Sequence, residues 1–382
     1  MKKDWEIKKL GEVCEFQGGS QPPKEEWIKE NKDGYIRMLQ IRDFTQSRNF
    51  DIEYVKKTNK LRYCNVDDIL LGRYGASVGK VLTGLEGAYN VAILKTIPSD
   101  IIWKPFIKYY FSSPLFQFPL LNLCDQRAAQ AGFNREDIFD FPFPLPSLEE
   151  QKRIVKILDE KFAQLETIKA NAQTNLQNAK DLFQSQLTKA FSNTTWEKKR
   201  LGDIITLLSG QDFPPERYNA ENKGIPYITG ASNFNEDGSI LINRWTDTPT
   251  VIAKRLDVLL VVKGSGYGKT TIADFEEAHI ARQIMALRVS PDLERSFLFY
   301  YLNCKFDEIK QKGNGVIPGI TRSDVLEMSL NLPPLPEQKR IVEELDTLSE
   351  KVRQLQEIYT KQIANCEELK QSLLQKAFEG KL

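Results

Sequence analysis

Apolar residues recur at alternating spacings of four and three in two long stretches of the chain. In the first stretch these seam positions are Ile154, Leu158, Lys161, Leu165, Ile168, Ala172, Asn175, Ala179 and Leu182. In the second they are Ile341, Leu345, Leu348, Val352, Leu355, Tyr359, Gln362, Cys366, Leu369 and Leu373. A period of 3.5 residues over roughly four to five heptads is typical of a coiled coil. We therefore predict two long helices of about 40 residues, each on the order of 60 Å long.

The two stretches are copies of one another. Residues 145–191 align with residues 332–378 without insertion or deletion, from LPSLEEQKRIV and LPPLPEQKRIV to LTKAF and LQKAF. The similarity reaches the motifs WEIKKLGE near residue 5 and WEKKRLGD near residue 196. Such a repeat predicts a duplicated chain of globular part, helix, globular part and helix. Because a globular part separates the helices, we expect them to pack antiparallel. The alternative is a bundle of helices in an ordinary core.

Between the helices the pattern changes to short β-rich runs, such as Tyr35–Ile41 and Ile225–Thr229, separated by Gly, Pro and Asn. This alternation favours an α+β domain with an irregular, curved sheet. Aromatic amphipathic helices are predicted at Trp103–Phe111 and Phe297–Phe306, packed on that sheet. The predicted segments are a first domain at 1–144, a first helix at 145–191, a second domain at 192–331 and a second helix at 332–382.

Two matched motifs, GFNREDIFDF and GITRSDVLEM, stand before the long helices. Asn134 and Thr321 are suited to capping a short helix, each with an aspartate three residues on, as in a capping box. Arg135 and Arg322 follow the caps, near a helix N-terminus that favours a phosphate. A surface ion pair is an equally good explanation for these arginines.

Each globular part also contains an aliphatic strand that runs into a glycine-rich loop, LLGRYGASVGK at 70–80 and LLVVKGSGYGK at 259–269. The second loop resembles a nucleotide-binding phosphate loop, but Lys263 stands where that motif requires glycine, and the first loop fails as well. Glycines and flanking Lys or Arg residues suit contact with a DNA backbone or a base edge. A tight β-turn with a solvated lysine is the alternative.

Composition argues against most other classes of protein. The net charge is only +1, and the five cysteines lie far apart without a CxxC pair. We therefore expect neither a zinc site nor a disulfide framework, and the cytoplasm is the simplest location. No apolar run is long enough to span a membrane. His279 is the single histidine, and a lone histidine is more often a hydrogen-bonded structural residue than a general base. We find no nucleophile elbow, methyltransferase or cofactor-binding motif, so the chain is predicted to be a binder.

The repeated WE-KK/R-LG openings, the two LPxLxEQKRIV helix starts and the LLQKAFEGKL ending resemble the specificity subunit of type I restriction-modification enzymes. The resemblance covers essentially the whole chain. It implies two tandem pseudo-symmetric target recognition domains, each reading half of a bipartite, asymmetric sequence in double-stranded DNA. It also implies that the length of the antiparallel coiled coil sets the gap between the half-sites.

The resemblance further implies partner subunits that carry the chemistry. Two modification subunits would bind the helices, hold S-adenosylmethionine and methylate adenine, and restriction subunits can join for ATP-driven translocation and cleavage. This chain is then expected to be non-catalytic and to hold no cofactor or metal. The alternatives are a coiled-coil scaffold that does not bind DNA and a self-contained DNA-modifying enzyme.

The predicted contact residues follow from these motifs. The candidates for DNA contact are Arg73, Ser77, Lys80, Gln126, Arg127, Arg135, Lys263, Ser265, Tyr267, Lys269, Asn314 and Arg322. The candidates for contact with a partner subunit lie in the two QKRIV segments and are Gln151, Arg153, Gln338 and Arg340. Simple helix capping and solvation would explain this second set equally well.

Overall fold

The computed structural model describes residues 5–46, 51–126, 132–235, 237–264, 266–311 and 319–382. Contacts divide the chain into two units, residues 1–173 with 361–382 and residues 174–360. Each unit therefore contains one globular part and a segment of each long helix. The predicted division at 144, 191 and 331 follows the sequence repeat rather than the contacts, and it stays a prediction.

The first unit mixes short strands and helices. Its strands are β1 (Glu6–Lys9), β2 (Cys14–Gly18), β3 (Tyr35–Leu39), β4 (Tyr54–Lys56), β5 (Tyr63–Cys64), β6 (Ile69–Gly72), β7 (Val81–Leu82), β8 (Gly87–Tyr89), β9 (Ile93–Pro98) and β10 (Pro142–Leu145). Its helices are α1 (Leu10–Val13), α2 (Ile41–Thr45), α3 (Lys104–Ser112), α4 (Pro114–Asp125) and the start of the long helix α5 (Leu148–Ala190).

The second unit has nearly the same order of elements. Its strands are β11 (Glu197–Arg200), β12 (Ile205–Ser209), β13 (Ile225–Ile228), β14 (Trp245–Thr246), β15 (Ile252–Lys254), β16 (Val258–Val261), β17 (Thr270–Ile272), β18 (Glu277–Ile280), β19 (Ile284–Val289) and β20 (Ser329–Leu332). Its helices are α6 (Leu201–Ile204), α7 (Arg295–Cys304), α8 (Phe306–Gln311), α9 (Arg322–Leu326) and the start of the long helix α10 (Leu335–Phe378).

Both units have the same sheet topology. In the first unit an antiparallel sheet has the order β2-β9-β6-β7, and a second sheet has the order β4-β3-β8-β5 with a parallel β3–β8 pair. The second unit repeats these orders as β12-β19-β16-β17 and β14-β13-β18-β15, with β13 parallel to β18. The ribbons β1-β10 and β11-β20 also match. The structure thus confirms the predicted α+β class and its duplication.

The strands that lead into the glycine loops are covered on both faces. In β6, Ile69 and Leu71 belong to one hydrophobic cluster and Leu70 to another. In β16, Val258 and Leu260 likewise face one cluster while Leu259 and Val261 face another. Because successive side chains of a strand point to opposite faces, both faces are buried. This explains the continuous aliphatic runs, which fix the loops that follow them.

Aromatic residues join the end of one long helix to the core of each unit. The ring centroid of Phe378, at the end of α10, lies 5.0 Å from that of Phe106 and 5.7 Å from that of Tyr110 in α3. In the second unit Phe191, just after α5, lies 4.9 Å from Phe297 and 5.7 Å from Tyr301 in α7. The predicted aromatic helices are therefore core elements, and they anchor the helix ends. Such aromatic pairs add about 0.5–1.5 kcal/mol beyond burial.

Within the first unit, α5 and α10 pack antiparallel. The Lys169 amine pairs with the Glu367 carboxylate, and the Lys370 amine lies 3.2 Å from the Glu166 carboxylate. Residue numbers thus rise along one helix as they fall along the other, as predicted. Exposed ion pairs of this kind contribute little stability, so the seam must be held by its apolar side chains.

The apolar seam is shifted by one residue from the predicted one at alternate positions of α5 and at some positions of α10. On α5 the buried positions Leu158, Leu165, Ala172 and Ala179 are as predicted, and on α10 so are Leu345, Val352 and Cys366. The positions between them on α5 are filled by Phe162, Lys169, Leu176 and Phe183, each one residue after the predicted member. Ile168, Leu182, Leu355 and Leu369 were predicted in the seam and are instead exposed.

Two lysines explain the shift beside Ile168 and Leu369. The Lys370 amine lies 5.2 Å from the centre of the Phe162 ring and also pairs with the Glu166 carboxylate. On α5, Lys169 lies in the seam and its amine pairs with the Glu367 carboxylate on α10. A long lysine stem can cover apolar surface while its charged end stays in water. At these two positions lysine therefore occupies a seam place that a rule based on apolar residues alone assigns to its neighbour.

Candidate nucleic-acid interface

The two glycine loops are matched hairpin loops. The first joins β6 to β7, and Gly75 and Gly79 have φ angles of +55° and +74°. The second joins β16 to β17, and Gly264 and Gly268 have φ angles of +85° and +92°. This left-handed conformation disfavours residues with a side chain, so the glycines are required by the turn. Over their described residues, the two loops therefore have left-handed glycines at matched positions.

Lysines border both loops with free charged ends. The side chains of Lys80, Lys263 and Lys269 are exposed. In the part of the chain that the structure describes, none of their amines has an ion pair or hydrogen bond. Ser77 is partly buried, and its carbonyl accepts a hydrogen bond of 3.1 Å from the Lys80 amide. Both loops thus fit the alternative of a hairpin with a solvated lysine. Contact between these lysines and DNA stays a proposal.

Arg73 and Tyr267 are held by the fold itself. The Arg73 guanidinium donates to the carbonyl oxygens of Phe133 and Val91, at 3.1 and 3.2 Å, and to Asn134 Oδ1 at 2.7 Å. The Tyr267 hydroxyl donates to the carbonyl of Lys310. Both side chains therefore tie a glycine loop to a neighbouring segment. DNA contact through these two side chains stays a prediction. It would have to be made by the atoms of Arg73 and Tyr267 that remain exposed beside these hydrogen bonds.

The short helices before the long ones form as predicted. In the first unit a single 3₁₀ turn spans Arg135–Ile138, and in the second unit α9 begins at Arg322. The Asn134 amide donates to Asp137 Oδ2 at 2.6 Å, and the Thr321 amide donates to Asp324 Oδ2 at 2.7 Å. The aspartate therefore satisfies the cap residue's own amide in both units.

The arginines after these caps have partners within the chain. Arg135 forms an exposed ion pair of 2.6 Å with Glu136. Arg322 donates to the Leu207 carbonyl at 2.7 Å and to Ser209 Oγ at 3.3 Å, so it fastens α9 to β12. These contacts favour the ion-pair explanation for Arg135 and a structural role for Arg322.

The remaining predicted DNA contacts are only partly visible. Gln126, at the end of α4, is exposed. Three other predicted contacts, Arg127, Ser265 and Asn314, lie outside the described residues.

Gln151 and Gln338 are buried at the starts of the long helices. Gln151 Oε1 accepts a hydrogen bond from the Trp103 amide at 2.8 Å, and its Nε2 donates to the carbonyls of Ile101 and Pro146 at 2.9 and 3.0 Å. Both glutamines have no exposed surface. These hydrogen bonds hold the start of each long helix against its globular part. A partner subunit could contact the glutamines only if these bonds were broken, so the predicted partner contact stays a prediction.

Gln338 makes the same three bonds in the second unit. Its Oε1 accepts from the Glu294 amide at 2.8 Å, and its Nε2 donates to the Asp292 and Pro333 carbonyls at 2.9 Å. Each glutamine thus links its long helix to the start of an aromatic helix. The proline-marked QKR motif is therefore a helix-anchoring device in both units.

Arg153 and Arg340 remain accessible on the helices. Arg153 pairs with Glu150 at 2.6 Å, and Arg340 pairs with Glu337 at 2.7 Å. The Arg340 guanidinium holds the pKa of the Glu337 carboxyl below its usual range. About half of each arginine side chain is exposed. Partner contact through these two residues is compatible with their position.

His279 is a structural residue, as predicted. Its ring is fully buried and stacks on Phe213 with centroids 3.9 Å apart. Its Nε2 lies 2.8 Å from the Gln211 carbonyl and its Nδ1 lies 3.1 Å from the Val251 carbonyl. Burial lowers the pKa of this imidazole, so the ring is neutral near pH 7.

Over the described residues, no group of three or more His, Cys, Asp or Glu side chains is arranged to hold a metal ion. None of the described helices combines the length and apolar character that crossing a membrane requires.

Known proteins with similar sequences or folds share the whole architecture. The putative type I restriction enzyme MjaX specificity subunit of Methanocaldococcus jannaschii is 26% identical over 99% of this chain and 94% of its own length. A chain from structures on complex assembly and conformational transition of the type I R-M system superposes with a TM-score of 0.86, at 24% identity, over 99% of this chain and 98% of that one. The HsdS subunit of Thermoanaerobacter tengcongensis gives 0.62 at 24% identity, over 100% and 98%.

The family described as the type I restriction modification DNA specificity domain matches twice, at residues 2–177 and 193–363. The two matches together cover most of the chain, and each contains one globular part. Their spacing agrees with the duplicated sheets and the matched glycine loops. The chain therefore belongs to the type I restriction-modification DNA specificity family.

Proposed function

We propose that this chain is the specificity subunit of a type I restriction-modification complex. Each unit reads one half of a bipartite, asymmetric site in double-stranded DNA, and the long helices set the gap. Two modification subunits methylate adenine with S-adenosylmethionine, and restriction subunits can join to cleave. The observation that carries this proposal is the duplicated unit, with equivalent glycine-lysine hairpins, in a DNA specificity family.

The differences between the two hairpins support an asymmetric site. Strand pairing aligns Arg73 with Val262 and Tyr74 with Lys263, because Tyr74 bridges to Gly132 as Lys263 bridges to Gly319. The backbone frames match, while the side chains on them differ. Two equivalent frames that present different side chains suit two half-sites of unlike sequence.

The lysines at the loop ends are suited to phosphate contact, since each is exposed and has no partner among the described residues. Replacing both Lys80 and Lys269 with Ala should weaken DNA binding by the assembled complex. It should also lower the slope of log K against log salt by roughly 2, since each phosphate contact contributes about 0.9. Fluorescence anisotropy at several salt concentrations measures both quantities.

The matched control replaces Lys32 and Lys223 with Ala, in the turns before β3 and β13. In the first unit the control lysine precedes β3, whereas the glycine loop starts near the residues that follow β3. A Cβ on Gly72, just before that loop, would lie 3.2 Å from the side chain of Ile41. The control should bind DNA like the unchanged protein. An unchanged salt slope in the Lys80/Lys269 variant would remove the loop lysines from the interface.

The helix face left outside the seam is suited to partner subunits. In the first unit, Ile168 and Leu369 are 40% and 47% exposed. In the second, Leu182 and Leu355 are 48% and 37% exposed. Ile168 aligns with Leu355 in the repeat, and Leu182 aligns with Leu369. Each unit thus has the same pair of exposed apolar positions, which suits two copies of one partner subunit.

Charged substitutions in these pairs should separate the two partner sites. The Ile168→Lys/Leu369→Lys variant should lose one modification subunit, and the Leu182→Lys/Leu355→Lys variant should lose the other. Burying apolar side chains of this size contributes about 1.5–3 kcal/mol each, and an unpaired lysine reverses that gain. Native mass spectrometry counts the subunits, and Gln177→Lys on an exposed part of α5 is the control. Full stoichiometry in both double variants would place the partners elsewhere.

A further inference from the structure

Gln283 lies beside the glycine loop of the second unit. It follows β18 in the turn that leads into β19, and its backbone carbonyl accepts a hydrogen bond of 2.7 Å from the Val262 amide. Val262 directly precedes Lys263, the first residue of the loop tip. The backbone of Gln283 is therefore fixed next to the loop.

The Gln283 side chain lies beside two glycines. Its Oε1 atom lies 2.7 Å from the position a Cβ on Gly230 would occupy, and 3.7 Å from that on Gly264. Gly230 has a φ angle of 168°, an extended conformation that any residue adopts. A Cβ at position 230 would therefore be accommodated by a shift of the flexible Gln283 amide rather than by the backbone. The terminal amide of Gln283 lies where three loops meet.

The amide of Gln283 is accessible and uncommitted. The residue is exposed, and its side chain makes no hydrogen bond to any residue that the structure describes. Its neighbour Arg282 is instead occupied by an ion pair of 2.5 Å with Asp212. The uncommitted amines of Lys263 and Lys269 border the same loop. A free amide beside a loop that carries two free lysine amines is the arrangement expected of a group that reads a base while lysines contact phosphates.

We infer that Gln283 reads an adenine in the half-site of the second unit. A glutamine amide carries one acceptor and a donor group, which match the N6 amine and N7 of adenine in the major groove. No other base presents that pair of groups there. This inference rests on the proposed function, and it names one residue and one base within it.

The first unit has no counterpart to this side chain. Strand pairing and the matching hydrogen bond, from the Arg73 amide to the Ala92 carbonyl at 2.9 Å, align Ala92 with Gln283. Alanine cannot reach a base edge from this turn, and the Arg73 guanidinium is bonded to the carbonyl of Val91 next to it. The adenine contact is therefore specific to one half of the site.

The test is methylome sequencing of cells that express the complete complex with the Gln283→Ala variant. One A·T position in one half-site should become degenerate, with discrimination there reduced on the order of tenfold to a hundredfold. The other half-site and the gap should stay unchanged. Gly230→Ala should relax the same position more weakly, because its Cβ displaces the amide, while the melting temperature stays the same. Gln177→Ala, which removes an exposed glutamine from α5, is the control.

The outcomes separate this inference from the proposed function. An unchanged motif in the Gln283→Ala variant, relaxation at a G·C pair, or uniformly weaker methylation without degeneracy would overturn the inference and leave the proposed function standing. If the unchanged complex methylates no bipartite motif, the proposed function itself fails.

Discussion

Adding seven residues to both long helices should lengthen the gap between the half-sites by about three base pairs, without changing the bases recognised. Seven helical residues add about 10 Å, and base pairs are stacked about 3.4 Å apart. A heptad preserves the seam. The insertions belong after Gln173 in α5 and after Thr360 in α10, where the chain passes between the two units. Methylome sequencing of cells with the lengthened subunit gives the new motif.

A heptad added to α5 alone is the control for this experiment. It leaves one heptad of α5 without a matching heptad on α10, so methylation should be lost rather than moved to a longer site. An unchanged gap in the doubly lengthened subunit would show that the helices do not set the spacing. Changed half-site bases would show that the two units do not read DNA independently of the helices.

Replacing Gln338 or Gln151 with Ala should destabilise the protein by about 3 kcal/mol in each case. Each substitution removes three hydrogen bonds and leaves one backbone amide and two carbonyls without a partner. Leaving such groups unsatisfied costs more free energy than the net contribution of the hydrogen bonds themselves. Such a loss corresponds to a fall in melting temperature of roughly 6–12 °C for a unit of this size. Differential scanning calorimetry of the purified chain measures it.

The location of the effect is part of the prediction. Gln151→Ala should lower the transition of the first unit and Gln338→Ala that of the second, because each glutamine bonds only within its own unit. Gln354→Ala on the exposed face of α10 removes a bond to Glu350 in solvent and should have almost no effect. A change below about 2 °C in the two buried variants would contradict the anchoring role.

Much of the fold could be predicted because the chain repeats itself. Features that recur in both halves, such as the aromatic helices and the capping aspartates, appear in the structure as matched pairs. Register was harder to predict, because two stripes of side chains one residue apart both resemble a seam. Beside Ile168 and Leu369 the seam is filled by Lys169 and Lys370, which combine an apolar stem with a cross-helix ion pair. That ion pair depends on the partner helix, which the local sequence does not show.

The candidate site was less predictable than the fold. Arg73 and Arg322 have the charge expected of DNA contacts, yet they bond to carbonyl oxygens far away in the sequence. Residue type gives the chemistry that a side chain offers, but tertiary structure decides whether it is already used. Gln283 shows the converse. It stands in no motif, and only the meeting of three loops brings its amide beside Gly230 and Gly264.

The most direct test of the proposed function is the methylome of a host that expresses the modification subunit with and without this chain. One bipartite, asymmetric motif with methylated adenine should be present with the chain and absent without it. A motif that persists without the chain, or a methylated site that is not bipartite, would contradict it.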